Sequence, residues 1–232
     1  MPIKIDRIDK ITANIGKARI LILGDIMLDE YLHGNVNRIS PEAPVPVVEI
    51  DSEQLSLGGA ANVANNIAAL GNEPYLFGTV GEDEASIKLS QLLKDKGISR
   101  EYLINDKSRR TTIKTRIIAH SQQVVRADRE DADEISAEIE KTITGRFASL
   151  IDKIDGVIIS DYGKGVITAS LLNRIIPICR EKGIFIGVDP KETHFFNYKK
   201  ASVVTPNHHE AGFVAGRRIK SDKDLNEVGR FL

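Results

Sequence analysis

Two adjacent glycines, Gly58 and Gly59, open onto a run of small residues, Ala60-Ala61-Asn62-Val63-Ala64. Glycine lets a backbone approach a ligand closely, and a helix that starts there presents unpaired N–H groups. Asn62 adds a donor and an acceptor, which suits a sugar hydroxyl. Tight packing of the helix on its neighbours explains the same small residues, and spacing alone leaves both readings open. Upstream, Gly24-Asp25-Ile26-Met27-Leu28-Asp29 sets two carboxylates behind an apolar run. Ligands of open α/β sheets bind beyond the C-terminal ends of strands. A carboxylate there can accept from two hydroxyls, unless it only caps a local turn.

Phosphate chemistry has its own candidates. In Thr205-Pro206-Asn207-His208-His209-Glu210, Asn207 and Glu210 have the spacing of a capping box. The functional alternative points both at phosphate and a water-coordinated Mg²⁺. His208 and His209 resemble a metal pair, but adjacent helical residues point in different directions. Lys164, in Ser160-Asp161-Tyr162-Gly163-Lys164-Gly165, and Lys191, in Asp189-Pro190-Lys191, each follow a strand-length apolar run. Arg38, Arg116 and Arg126 lie in more irregular segments. Singly, each reads as a solvated charge; together they could hold a phosphorylated ligand. There is no Walker A pattern, no HExxH, and no GxGxxG after a strand.

The elements that must position these residues alternate. Strand patterns at 19–23, 74–80, 156–160, 184–188 and 202–205 interleave with helical patterns at 60–70, 84–96, 134–150 and 169–182. This rhythm predicts crossover units and a mostly parallel sheet covered by helices. Two segments break it. Residues 38–51 carry Pro41, Pro44 and Pro46 among valines, which predicts extended chain. Residues 111–128 read as two β-branched stretches with a polar turn near His120 and Ser121. Together they predict a small β-flap, spanning about 31–55 and 108–128, beside a single α/β domain. A helical pattern at 222–232 closes the chain.

The 232 residues are 41% hydrophobic and 28% charged, with 32 Lys plus Arg against 33 Asp plus Glu. A formal charge of −1 gives no global attraction to nucleic acid or an anionic membrane, so any anion site is local. No apolar run approaches the ~20 residues of a membrane span. The N-terminus lacks the pattern of a signal peptide; Ile5, Ile8, Ile11 and Ile15 predict an amphipathic helix packed on the domain. Cys179 is the one cysteine, so no disulfide forms within the chain. It sits in a helical apolar stretch and reads as a buried, inert thiol.

In their order along the chain, these motifs resemble the ribokinase-like (PfkB-type) carbohydrate kinases, from about Arg19 to Gly216. Asp29 matches the family's substrate-binding aspartate, Gly58-Gly59-x-x-Asn62 its sugar-binding glycine motif, and Asn207-x-x-Glu210 its N-x-x-E motif near ATP phosphates and Mg²⁺. Residues 38–46, 160–165 and 189–191 are similar to the heptose-7-phosphate kinases within that family. The resemblance implies a ribokinase-like three-layer α/β sandwich with a β-flap lid, and a cytoplasmic, ATP- and Mg²⁺-dependent kinase. Its expected substrate is D-glycero-β-D-manno-heptose 7-phosphate, phosphorylated at the anomeric oxygen for lipopolysaccharide precursor synthesis. Asp29, Gly58, Gly59, Asn62, Arg38, Arg116, Arg126 and Lys164 would bind the sugar phosphate. Asn207, His208, His209, Glu210 and Lys191 would face ATP, with Glu210 meeting Mg²⁺ through water, and the flap would form a homodimer contact. The family's D-T-x-G-A-G-D motif, whose last aspartate is the catalytic base, does not occur in this sequence. The expectation is therefore a chain that stops before the base and is inactive alone. Another PfkB-type sugar or nucleoside kinase, or a non-catalytic sugar-phosphate module that dimerises through the flap, are the alternatives.

Overall fold

The computed structural model describes residues 5–232. In chain order the elements are α1 (Ile5–Thr12), β1 (Arg19–Gly24), β2 (Ile26–Ile39), β3 (Pro46–Gly59), α2 (Ala60–Ala69), β4 (Glu73–Val80) and α3 (Glu84–Asp95). There follow β5 (Leu103–Asn105), β6 (Thr112–Ala119), β7 (Gln122–Arg129), α4 (Ala137–Leu150), β8 (Gly156–Ser160) and α5 (Ala169–Glu181). The chain closes with β9 (Phe185–Asp189), a 3-10 turn (Glu192–Asn197), β10 (Val203–Val204), α6 (His208–Val214) and α7 (Asp222–Phe231).

Six strands form one sheet in the order β10-β9-β8-β1-β4-β5, and every pairing in it is parallel. Parallel strands buried on both faces should show continuous apolar runs. β1 does so, and its alternate residues serve opposite faces. Leu21 and Leu23 join Ile143 and Phe147 of α4 and Leu172 and Ile175 of α5. Ile22 joins Ala60 and Ala64 of α2 and Leu89 and Leu93 of α3. The molecule thus has three layers, as expected, with the sheet in the middle.

The helices begin where their caps dictate. Asp83 accepts from Ser86 N before α3, Ser136 from Ile139 N before α4, and Thr168 from Leu171 N before α5. The cap at Ser136 starts α4 at Ala137, three residues later than the apolar periodicity predicts. Gly71 and Gly97 follow α2 and α3 with positive φ of 81° and 68°, where a Cβ would be strained.

The flap is a second sheet, ordered β3-β2-β6-β7, with β2 and β6 parallel and the outer pairs antiparallel. His120 and Ser121 form its predicted polar turn, both with positive φ. It is longer than the sequence suggested. β2 begins at Ile26 and β3 runs to Gly59, so Asp29 and Gly58 are themselves flap residues. Pro41 and Pro44 lie in the turn and Pro46 opens β3; beyond the hairpin with β3, β2 is also paired non-locally with β6.

One expectation is corrected. The N-terminal helix forms, but Ile5, Ile8 and Ile15 are exposed, so its apolar side is not packed on the domain; the Ile11 side chain lies outside the described residues. On α7 only Val228 is buried, while Leu225, Phe231 and Leu232 face outward. Cys179 is fully buried and burial pushes its thiol up to about 12, as expected of an inert core thiol. Among the described residues no helix is long and apolar enough to cross a membrane.

Candidate active site

The chain leaves β1 at Gly24 and turns into the flap through Asp25. This carboxylate is almost fully buried, yet its oxygens are well used. Oδ2 accepts from Tyr162 N at 2.7 Å and Lys164 N at 3.1 Å, and Oδ1 accepts from Val166 N at 3.1 Å. Burial pushes the Asp25 carboxyl above the ordinary carboxylate range, against the pull of those three amides. Asp25 therefore shapes the loop that follows β8. Asp161 shapes it from the other side. Its Oδ2 accepts from the Tyr198 hydroxyl at 2.6 Å and lies 2.6 Å from His194 Nδ1, while Oδ1 accepts from Gly163 N at 2.8 Å. Arg109 closes the arrangement, donating to Thr79 Oγ1, the Lys164 carbonyl and the Asp133 carbonyl.

The glycine pair sits where flap meets core. Gly59 has φ 55°, and a Cβ there would lie 2.3 Å from the Asp25 carbonyl oxygen. A Cβ on Gly58 would lie 2.7 Å from Asp29 Oδ2. Both glycines are required by the close approach of β2 to the end of β3, and Gly58 also leaves the Asp29 carboxylate uncovered on that side. Asn62, in the first turn of α2, is exposed and makes no side-chain hydrogen bond among the described residues.

Tyr162 shows which constellations meet. Burial raises its phenol above its ordinary value, and the negative charges of Asp189, Asp29, Asp25 and Glu210 raise it further. These charges come from a flap residue, the residues at the ends of β1 and β9, and the first turn of α6, all on the same end of the sheet. Burial likewise lifts the Asp189 carboxyl, with Glu210 and Asp161 adding to it. A divalent cation would relieve such crowding. Among the described residues no cluster of three or more His, Cys, Asp or Glu could hold a metal. The residues fit Mg²⁺ that is carried largely by phosphate and water, as that ion prefers.

The predicted cations are each held by an acid. Arg116 donates to Asp29 Oδ1 at 2.6 Å, Arg126 meets Asp128 at 2.9 Å, Lys164 meets Glu130 at 2.6 Å, and Lys191 meets Glu192 at 3.0 Å. Arg38, two-thirds exposed near the flap tip, is 4.0 Å from Glu49. Asn207 and Glu210 form the capping box: Asn207 Oδ1 accepts from His209 N at 2.9 Å and Glu210 N at 3.0 Å, and Glu210 Oε2 accepts from Asn207 N at 2.8 Å. His208 and His209 are exposed, with ring centroids 4.0 Å apart. They line an open cavity of about 930 Å³ together with Phe213, Arg217, Arg218 and Lys220.

Sequence reasoning missed the roles of Asp25, Asp161 and Tyr162. The available signal was a carboxylate closing a buried strand twice over, Gly24-Asp25 and Ser160-Asp161.

A crossover sheet, a flap rooted at a glycine pair, and acidic and basic groups gathered at the C-terminal strand ends define a ribokinase-like fold. The chain matches the model of the pfkB family of carbohydrate kinases over residues 17–230 and belongs to that family. It is 41% identical over 225 residues to the bifunctional protein HldE of Geobacter sulfurreducens, covering 97% of this chain and 46% of that protein. It is 45% identical over 214 residues to HldE of Desulfatibacillum aliphaticivorans, covering 92% and 44%. The chain thus spans about half the length of the curated relatives it matches. The fold is similar to Escherichia coli phosphofructokinase-2 in complex with substrates and products, with a TM-score of 0.72 and 17% identity over 91% of this chain and 67% of that one. It is also similar to Arabidopsis thaliana ribokinase complexed with ribose and ATP, with a TM-score of 0.66 and 14% identity over 92% and 68%.

Proposed function

We propose that this chain forms the sugar-binding and ATP-entry part of a kinase that phosphorylates a heptose 7-phosphate at its anomeric oxygen. The observation that carries the reading is the gathering of flap and core at the C-terminal ends of the parallel strands: Asp25 holds the 162–166 loop, Lys114 of the flap lies over the Tyr162 ring, and Gly58 leaves the Asp29 carboxylate uncovered. The pfkB family of carbohydrate kinases supports a sugar acceptor.

Asp29 would accept from sugar hydroxyls, with Gly58 and Gly59 beside it and Asn62 in the first turn of α2 lining the same pocket. Arg116, Arg126 and Lys164 would orient the substrate's existing phosphate by exchanging their carboxylate partners for it, while Arg38 would act at the flap tip. Asn207 and Glu210 would face the ATP phosphates, with Lys191 beside them and His208 and His209 toward the nucleotide cavity. Glu210, with Asp189 near it, would hold Mg²⁺ through water; the ion supplies charge neutralisation on the phosphates. In transfer, the sugar oxygen bonds to the γ-phosphorus as the bond to ADP breaks, and the hydroxyl proton needs an acceptor. Such catalysis rests on positioning and charge. The family's Gly-Ala-Gly-Asp motif does not occur in this sequence, so none of these residues is assigned as that acceptor. A second copy would pair through the flap, where Ile39, Val45, Ile50, Val124 and Val125 are exposed.

Isothermal titration tests the reading. Heptose 7-phosphate should bind, and Asp29→Asn should weaken it by about tenfold or more, as loss of a charge-assisted contact implies. Equal affinity in Asp29→Asn and Asn62→Ala would remove both from the site.

A further inference from the structure

We infer that Lys114, seated over Tyr162 at the seam between flap and core, is the specificity-determining cation for the substrate's phosphomonoester. The inference rests on the sugar-phosphate reading above and assigns a role to a residue that reading leaves without one.

The placement follows from register. On β2, β6 and β7, Asp29 pairs with Lys114, and Lys114 with Asp128; Tyr31 pairs with Arg116, and Arg116 with Arg126. Partners in register share a face of the sheet, so these residues make one polar surface. That surface looks at the core loop, because Lys114 Nζ stands 5.6 Å from the centroid of the Tyr162 ring.

Charge then separates Lys114 from its neighbours. The surface carries three cations, Lys114, Arg116 and Arg126, and two carboxylates, Asp29 and Asp128. Arg116 takes Asp29 and Arg126 takes Asp128. Across the seam Lys164 takes Glu130 and Lys191 takes Glu192. Lys114 alone of these cations has no carboxylate within 4.0 Å among the described residues. Lys114 is half-buried as a residue, and its ammonium rests on a ring face, a weak partner that an incoming phosphate can outcompete. An anion entering the cleft meets uncompensated positive charge first at Lys114. Lys is a point-charge donor with rotatable N–H groups, which suits a phosphate whose orientation is fixed by the sugar.

The test compares D-glycero-D-manno-heptose 7-phosphate with the same heptose lacking phosphate, by isothermal titration on wild type, Lys114→Gln and Lys114→Arg. Folding is checked by thermal melting. Wild type should prefer the phosphorylated sugar. Lys114→Gln should lose about 10- to 100-fold in affinity for it, the scale of one charge-assisted hydrogen bond, with binding of the free heptose unchanged. Lys114→Arg should recover most of the preference. A wild type that prefers the phosphorylated sugar, with a Lys114→Gln variant that keeps the preference, overturns Lys114 and leaves the substrate reading standing. A wild type that binds both sugars equally, or neither, overturns the substrate reading and Lys114 with it.

Discussion

The loop after β8 and the turn before α6 lie at the same end of the parallel sheet, but they are held in different ways. Residues 161–166 are fixed from beneath by two buried carboxylates, Asp25 and Asp161, and by the Arg109 fork. The turn at 205–210 relies mainly on its own capping box, and Asn207 is exposed. The first is built by distant parts of the chain; the second is nearly self-contained. Buried hydrogen bonds to an ion cost much when broken, whereas an exposed cap costs about 1 kcal/mol. The proposed sugar side of the cleft is therefore preorganised by the core, and the proposed nucleotide side by local sequence.

The largest break in that contrast is Asp25→Ala. Three backbone amides would lose their acceptor in a buried setting, at a cost of about 3–5 kcal/mol. In a domain of this size that lowers the melting temperature by roughly 10 °C. A shift below about 2 °C would show that the loop does not depend on Asp25. The same residue should leave a pH signature. Its folded-state pKa is raised, so the native state holds the proton more tightly than the unfolded chain does. The stabilisation that protonation confers is complete below the unfolded value of about 3.9. It is lost as pH rises through the raised folded value, with a slope of at most about 1.4 kcal/mol per unit. Urea unfolding of wild type across mildly acidic pH should show this extra decline relative to Asp25→Asn; parallel profiles would exclude it.

Gly59→Ala sharpens the contrast at the flap root. The new methyl would press on the Asp25 carbonyl, and φ of 55° is strained for any L side chain. A loss of about 1–3 kcal/mol is expected. Because the collision falls on the residue that organises the 161–166 loop, sugar-phosphate affinity should fall along with stability. Retained affinity in a destabilised variant would separate the flap root from the loop.

These differences also mark what could be read from sequence. The parallel core was legible because its signals are local: β-branched runs in β1 and β8, glycines closing α2 and α3, and Ser or Asp caps. β5, only three residues long, offered too little pattern. The reach of β2 was hidden because Ile26–Ile39 mixes polar and apolar residues, and its strand character comes from pairing with both β3 and β6. In the site, Asp29, Gly58, Gly59 and the Asn207–Glu210 cap stood out by motif. The task of Asp25 did not, since the amides it holds belong to residues 162, 164 and 166. The ion pairs that occupy Arg116 and Lys164, and leave Lys114 unmatched, were equally invisible because each joins distant segments.

Asn207→Ala gives the smallest stability change and tests the other side of the comparison. It removes the side-chain acceptor for His209 N and Glu210 N at an exposed helix start, which costs about 1 kcal/mol. Water can satisfy those amides, so the fold and the 161–166 loop should be undisturbed, and sugar-phosphate affinity should stay within about twofold of wild type. Nucleotide binding should respond far more. The Glu210 carboxylate keeps its bond from the backbone N–H of residue 207, so the loss falls on the Asn207 side-chain amide that would face the ATP phosphates. Titration with ATP and Mg²⁺ should then weaken by several-fold, while titration with the sugar phosphate does not. If both affinities fell together, the two sides of the cleft would be one cooperative unit, and their different construction would have no functional consequence.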